Sequence, residues 1–179
     1  MHVMHVMLDL ETWGTTPGSA IRSIGAIAFE LDGGAIHKTT FYNNIEDASC
    51  EAAGLTQDPL TVAWWAKQNT DAQYILTQNQ IPIAEALSKF FEWFQFVDGK
   101  QVWAQGANFD PVLMEAAFRA TSVTCPWMFW NMRDTRTVYD IADFKYHEVK
   151  REGVEHYALD DCRHQVKLIH AALHKLGRG

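Results

Sequence analysis

The sequence predicts an α/β domain. Three observations carry that prediction: a run of β-branched and apolar segments at the N-terminal end, aromatic-rich segments with helical spacing in the middle, and one long amphipathic segment at the C-terminal end. The 179 residues suit a single domain spanning residues 1–179. With 47% hydrophobic and 21% charged residues, disorder, a collagen-like chain and a disulfide-built mini-protein are excluded.

From Val3 to Leu10 and from Ile21 to Leu31 the chain reads as strand. Asp32-Gly33-Gly34 then offers the positive φ angles of a hairpin turn into a third strand, Ala35 to Tyr42. Asp58-Pro59 is an N-cap followed by a first-turn proline and opens the helix LTVAWWAKQ; Pro82 opens IAEALSKFFEWFQFV. Gln101 to Gly106 reads as a short strand and Pro111 to Ala120 as a helix, while Asp134 caps a further helix that includes Val138 and Ile141. Finally, Leu159, Cys162, Val166, Ile169, Leu173 and Leu176 alternate at steps of three and four, one apolar stripe that should pack on the sheet.

Charge and cysteine content narrow the function. A net charge of −7 excludes a basic nucleic-acid coat or an anionic-membrane binder, so any polyanion must be held locally. Cys50, Cys125 and Cys162 form no C-x-x-C pair, which fits a reducing cytoplasm. The N-terminal segment carries Asp9 and Glu11 directly after a short apolar stretch, unlike a signal peptide, and no segment is long enough to span a bilayer.

Chemistry concentrates in the acidic residues. Asp9 and Glu11 are two apart on a strand, so the pleat points both carboxylates to one face and Leu8 and Leu10 to the other. Buried together, two anions cost several kcal/mol each unless a cation compensates. The alternative is that the strand ends at Leu8 and both carboxylates are solvated. Asp110 falls just past a strand end, where open α/β sheets assemble their sites, although a helix N-cap accounts for it equally well. Asp160 and Asp161 begin the last helix, a position the helix dipole favours for acids. Asp161 lies to one side of the apolar stripe and can reach the sheet.

D-x-E-T at Asp9–Thr12, F-D at Phe109-Asp110 and H-x-A-x-x-D from His156 to Asp161 resemble, in order and spacing, the three motifs of the DEDD 3'-5' exonucleases of the histidine subgroup. IRSIGAIAFE, WAQGANFD, WNMRDTRT and HYALDDCRHQ are similar to the phage and bacterial 3'-5' exoribonuclease branch, prophage enzymes included. The resemblance covers nearly the whole chain and implies a ribonuclease-H-like mixed β-sheet flanked by α-helices. It further implies hydrolysis of RNA or DNA from single-stranded or overhanging 3' ends, releasing nucleoside 5'-monophosphates, and a homodimer. Asp9, Glu11, Asp110 and Asp161 would hold two Mg2+ or Mn2+ ions, for which hard oxygen ligands are suited, and His156 would be the general base. Thr12, Trp13, Gly14, Asn108 and Phe109 would bind the substrate, Trp13 by stacking on the terminal base and Phe109 at the penultimate one; the alternatives are a core aromatic for Trp13 and packing beneath Asp110 for Phe109. Tryptophan here replaces the second threonine of the usual T-T-G, and Gln105-Gly106-Ala107 replace the usual histidine-asparagine pair.

Two tensions remain within the sequence. His156 and Asp161 are five residues apart, about 140° around a helix, so the histidine should precede the regular helix. Tyr157, about 40° from Asp161, also fits the Y-x-x-x-D pattern of the tyrosine sister group; Ala158 and the doubled aspartate favour His156. Trp64-Trp65, Phe90-Phe91 and Trp93-Phe94 read as core or subunit interface in preference to base platforms. Arg133 and Arg136 fit either phosphate contacts or a capping cluster around Asp134. His2, His5, His37, His147, His164, His170 and His174 show no zinc spacing. Two other functions compete: a nuclease-like module that binds without cutting, and a phosphatase with Asp9 as nucleophile, since D-x-E-T is distantly similar to D-x-D-x-T. The latter lacks a downstream lysine and G-D pair.

Overall fold

The computed structural model describes residues 3–33 and 36–178. Its strands are β1 (Met4–Thr12), β2 (Ile21–Phe29), β3 (Ile36–Asn44), β4 (Gly99–Ala104) and β5 (Met132–Asp134). They form one mixed sheet in the order β3-β2-β1-β4-β5, with β1–β2 and β2–β3 antiparallel and β1–β4 and β4–β5 parallel. The helices are α1 (Asp47–Ala52), α2 (Pro59–Trp65), α3 (Thr70–Leu76), α4 (Ile83–Phe96), α5 (Asp110–Thr121), α6 (Thr135–Ile141) and α7 (Ala158–Lys175).

β1 is central, so its alternation divides the core. Val6, Leu8 and Leu10 face Leu87, Phe90, Phe94 and Phe118 of α4 and α5, whereas Met7 faces Cys162, Val166 and Ile169 of α7. The tryptophan and phenylalanine pairs of the central helices are therefore mixed: Trp65, Phe90 and Phe94 are core, while Trp64 is half exposed. On α7, Leu159 through Leu173 are buried as the stripe requires, but Leu176 lies past the helix end and is exposed.

Local signals are realised at the expected places. Asp58 accepts the Leu60 N–H at 3.2 Å and Asp134 accepts the Arg136 N–H at 2.8 Å, each capping its helix. Strand ends differ by a few residues: β1 runs on to Thr12, so Asp9 and Glu11 lie within the strand and are not solvated in a loop. β2 stops at Phe29, and β4 spans Gly99–Ala104 in place of Gln101–Gly106. Gly33 has φ +80° as a turn demands; Gly34, Ala35 and His2 lie outside the described residues. Among the described residues no helix is long and apolar enough to cross a membrane.

Candidate active site

The site forms where β1 and β4 part. Their pairing ends at Met7–Trp103, leaving the Leu10 N–H without a strand partner on that side. Asp110, the first residue of α5, fills the gap by accepting that N–H at 2.9 Å. Its carboxylate thus ties the helix start to β1 and is not a helix N-cap side chain.

From the opposite face comes α7. Asp9 pairs in register with Gly25 of β2, and an added Cβ at Gly25 would lie 2.6 Å from the Ala158 carbonyl carbon. Only glycine lets the helix start sit that close to the sheet. One turn on, Asp161 points inward, and oxygens of Asp9, Glu11 and Asp161 lie within 4.8 Å of one another. Asp160 faces away, accepting from Val154 N–H at 3.0 Å and pairing with Arg163 at 2.6 Å.

Electrostatics shows what this costs. Burial pushes the Asp9 carboxyl up to about 7, and it raises Glu11 well above the carboxylate range, with Asp9 and Asp110 adding repulsion. Asp110 is raised likewise by burial and by Asp9. Partial compensation comes from the Arg151 guanidinium, which pairs with Asp161, from the Gln165 amide, which donates to Asp9 at 2.7 Å, and from Arg22. Oxygen-only donors, packed closely and short of positive charge, fit a hard divalent cation.

His156 precedes α7, as the angular argument requires, with φ 64°. Its Nδ1 is 3.9 Å from Glu11 Oε1, and burial lowers its pKa, which favours the neutral imidazole. Tyr157 turns elsewhere, its ring 4.6 Å from that of Tyr42.

Beside Glu11 opens a cavity of about 460 Å3, walled by Thr12, Leu60, Trp64, Trp65 and Phe109. Trp13 is not among its lining residues. One face of its indole is covered by the Arg22 guanidinium at 3.8 Å, and its N–H is donated to Asp47 at 2.6 Å. The aromatic residues that line the cavity are Trp64, Trp65 and Phe109. The Thr12 carbonyl accepts Trp65 Nε1–H at 2.9 Å, and the Thr12 hydroxyl donates to the Gly14 carbonyl at 2.7 Å, so both brace the loop. Asn108 is exposed outside the cavity.

Arg133 donates to the Trp130 and Met132 carbonyls, both at 2.8 Å, and so fastens the entry to β5. Arg136 is exposed and lies against the Gly106 turn. His5 accepts Trp103 Nε1–H at 2.8 Å, and burial drops its pKa to about 4, so it is a packing residue. Sequence reasoning missed Gln165, Arg151 and Arg22. Gln165 alone had a signal, standing four residues after Asp161 on the same helix face.

A five-stranded mixed sheet flanked by helices, with acidic residues gathered where its central strands diverge, defines the ribonuclease-H-like exonuclease fold. Solved structures with a similar fold agree. Cell-death related nuclease 4 (CRN-4) superimposes with TM-score 0.70 at 12% identity, over 98% of this chain and 65% of that one. A product-bound exonuclease I gives TM-score 0.62 at 16% identity, over 97% and 43%. E. coli exonuclease I in complex with a 5cy-dA13 oligonucleotide gives 0.65 at 12%, over 97% and 40%. The chain thus spans less than two thirds of each of these proteins. No curated protein matches the sequence significantly. The chain belongs to the 3'-5' exoribonuclease Rv2179c-like domain family, whose model matches residues 4–173.

Proposed function

We propose that residues 1–179 form one exonuclease domain that hydrolyses single-stranded or 3'-overhanging nucleic acid from its 3' end and releases nucleoside 5'-monophosphates. The observation that carries this reading is the convergence of Asp9, Glu11 and Asp161 within 4.8 Å, beside a cavity of about 460 Å3 with aromatic walls. A cavity of that size suits a small ligand such as one terminal nucleotide. RNA is the first substrate to test, following the family; RNA and DNA differ here only through 2'-hydroxyl contacts.

Asp9, Glu11, Asp110 and Asp161 would hold two divalent cations, Mg2+ or Mn2+. When bound, these supply Lewis acidity and charge stabilisation at the scissile phosphate. The remaining steps belong to the chain. Neutral His156 takes a proton from the attacking water, whose oxygen bonds to phosphorus as the bond to the 3'-oxygen breaks. The leaving 3'-oxygen takes a proton from solvent, so the shortened strand ends in a new 3'-hydroxyl and the released nucleotide carries the phosphate on its 5'-oxygen. Trp64 and Phe109 offer ring faces to the terminal base, worth about 1–3 kcal/mol without sequence readout.

A homodimer and a cytoplasmic location complete the proposal. The dimer rests on the family resemblance, and the free cysteines Cys50, Cys125 and Cys162 suit a reducing compartment. The test is digestion of 5'-labelled RNA and DNA, single- and double-stranded, with magnesium, with chelator, and with Asp9→Ala. A ladder shortening from the 3' end, absent in the last two conditions, is expected. Substrate bound but intact in magnesium would make the protein a non-cutting module.

A further inference from the structure

The imidazole of His156 stands edge-on to two indoles. Its ring centroid is 5.1 Å from that of Trp64 at 83° and 5.6 Å from that of Trp65 at 73°. The indoles meet each other at 5.0 Å and 79°. His156 lies outside any regular element, in the left-handed region with φ 64°, so helix geometry does not fix its ring. The aromatic contacts do.

The two indoles are not equivalent. Trp65 is 2% exposed and anchored through its N–H to the Thr12 carbonyl at 2.9 Å, so it is a fixed wall. Trp64 is 44% exposed and lines the 460 Å3 cavity beside Glu11. Both rings touch the proposed proton acceptor and the cavity, but only that of Trp64 is largely open to an entering nucleobase.

We propose that Trp64 is a positioning residue that couples filling of the cavity by a nucleobase to the placement of His156 beside Glu11. This deepens the exonuclease reading and rests on it. With the cavity empty, the anchored Trp65 ring holds the imidazole on one side, while the half-exposed Trp64 indole that braces it on the other keeps some freedom. A base stacked on the indole removes that freedom, and the histidine is fixed only when a terminal nucleotide is in place.

The test uses the full chain and two readouts. In the first, kcat and KM are measured on a 5'-labelled oligonucleotide and on its twin with an abasic sugar at the 3' end. The wild type should lose about tenfold in kcat on the abasic twin. Trp64→Ala should lose about 10- to 100-fold on the intact substrate, show no further abasic penalty, and be largely rescued in Trp64→Phe. A rise in KM alone would reduce Trp64 to a stacking platform, and an abasic penalty that persists in Trp64→Ala would show that the base acts elsewhere; either overturns the proposal. The second readout needs no turnover: in histidine-labelled protein with magnesium, the His156 ring signals, assigned by their loss in His156→Ala, are followed by NMR. Adenosine 5'-monophosphate should shift them, ribose 5-phosphate should not, and Trp64→Ala should abolish the difference. Equal responses to both ligands in the wild type overturn the coupling. A wild type that cuts no oligonucleotide yet shows the base-specific shift sinks the exonuclease reading and leaves the coupling standing.

Discussion

Replacing Asp9 by asparagine separates what the acidic cluster does for chemistry from what it does to stability. Burial pushes the Asp9 carboxyl from 3.8 up to about 7, so the folded chain holds that proton more tightly than the unfolded chain. For an acid raised in this way, stability is full below the unfolded value and is lost as pH climbs through the folded one. Roughly 3 pH units at about 1.4 kcal/mol each set a ceiling near 4 kcal/mol for the metal-free protein above neutral pH. The residue is only partly shielded from solvent, which brings the expectation to about 2–4 kcal/mol. Asparagine keeps an acceptor for the Gln165 amide, now 2.7 Å away, and relieves Glu11 and Asp110 of a neighbouring charge. In chelator, Asp9→Asn should therefore match the wild type near pH 4 and exceed it at pH 8 by roughly 5–15 °C in melting temperature. With magnesium the order should reverse, because only the wild type gains binding free energy. Thermal melts at both pH values, with chelator and with magnesium, read this directly. A variant less stable than the wild type at pH 8 in chelator would mean that Arg151 and Gln165 already neutralise the cluster, and the case for a cation would fail.

Further expectations follow from individual contacts. His156→Ala should lower kcat by about 100-fold or more with little change in manganese affinity, while Tyr157→Phe stays near wild type; the opposite pattern in steady-state kinetics would reassign the base. Gln165→Leu should weaken manganese binding by about tenfold in calorimetry, since Asp9 loses the amide that orients it. An unchanged affinity would make the amide incidental. Gly25→Ala must push α7 off β2, because its Cβ would lie 2.6 Å from Ala158 backbone. It should cost about 1–3 kcal/mol in urea unfolding and depress activity by moving Asp161; wild-type stability would contradict the close seating.

Long, strongly patterned elements were legible from sequence, and short polar ones were not. β1, β2, α4 and α7 follow from apolar periodicity, and the α2 and α6 caps from Asp58 and Asp134. β5 has three residues, Met-Arg-Asp, and becomes a strand only because β4 offers its edge. α1 buries only Cys50, so no stripe announces it, and α3 is a seven-residue helix that buries only Ala72 and Leu76. Within the site, motif order pointed to the acidic residues and to His156. It could not reveal that the Trp13 face is covered by Arg22, because that contact depends on β2 packing beside the loop after β1. Nor could the pattern of Trp64-Trp65 show that adjacent indoles differ in exposure, one buried and one half exposed, while both wall one cavity: α2 is too short for its face to be read from spacing.

Crystals soaked in manganese and measured at its absorption edge test the central claim most directly. The account predicts anomalous density among Asp9, Glu11 and Asp161, with Arg151 released from Asp161 and Asp110 still tied to the Leu10 N–H. Carboxylates that stay paired with Arg151, and no density between them, would contradict it.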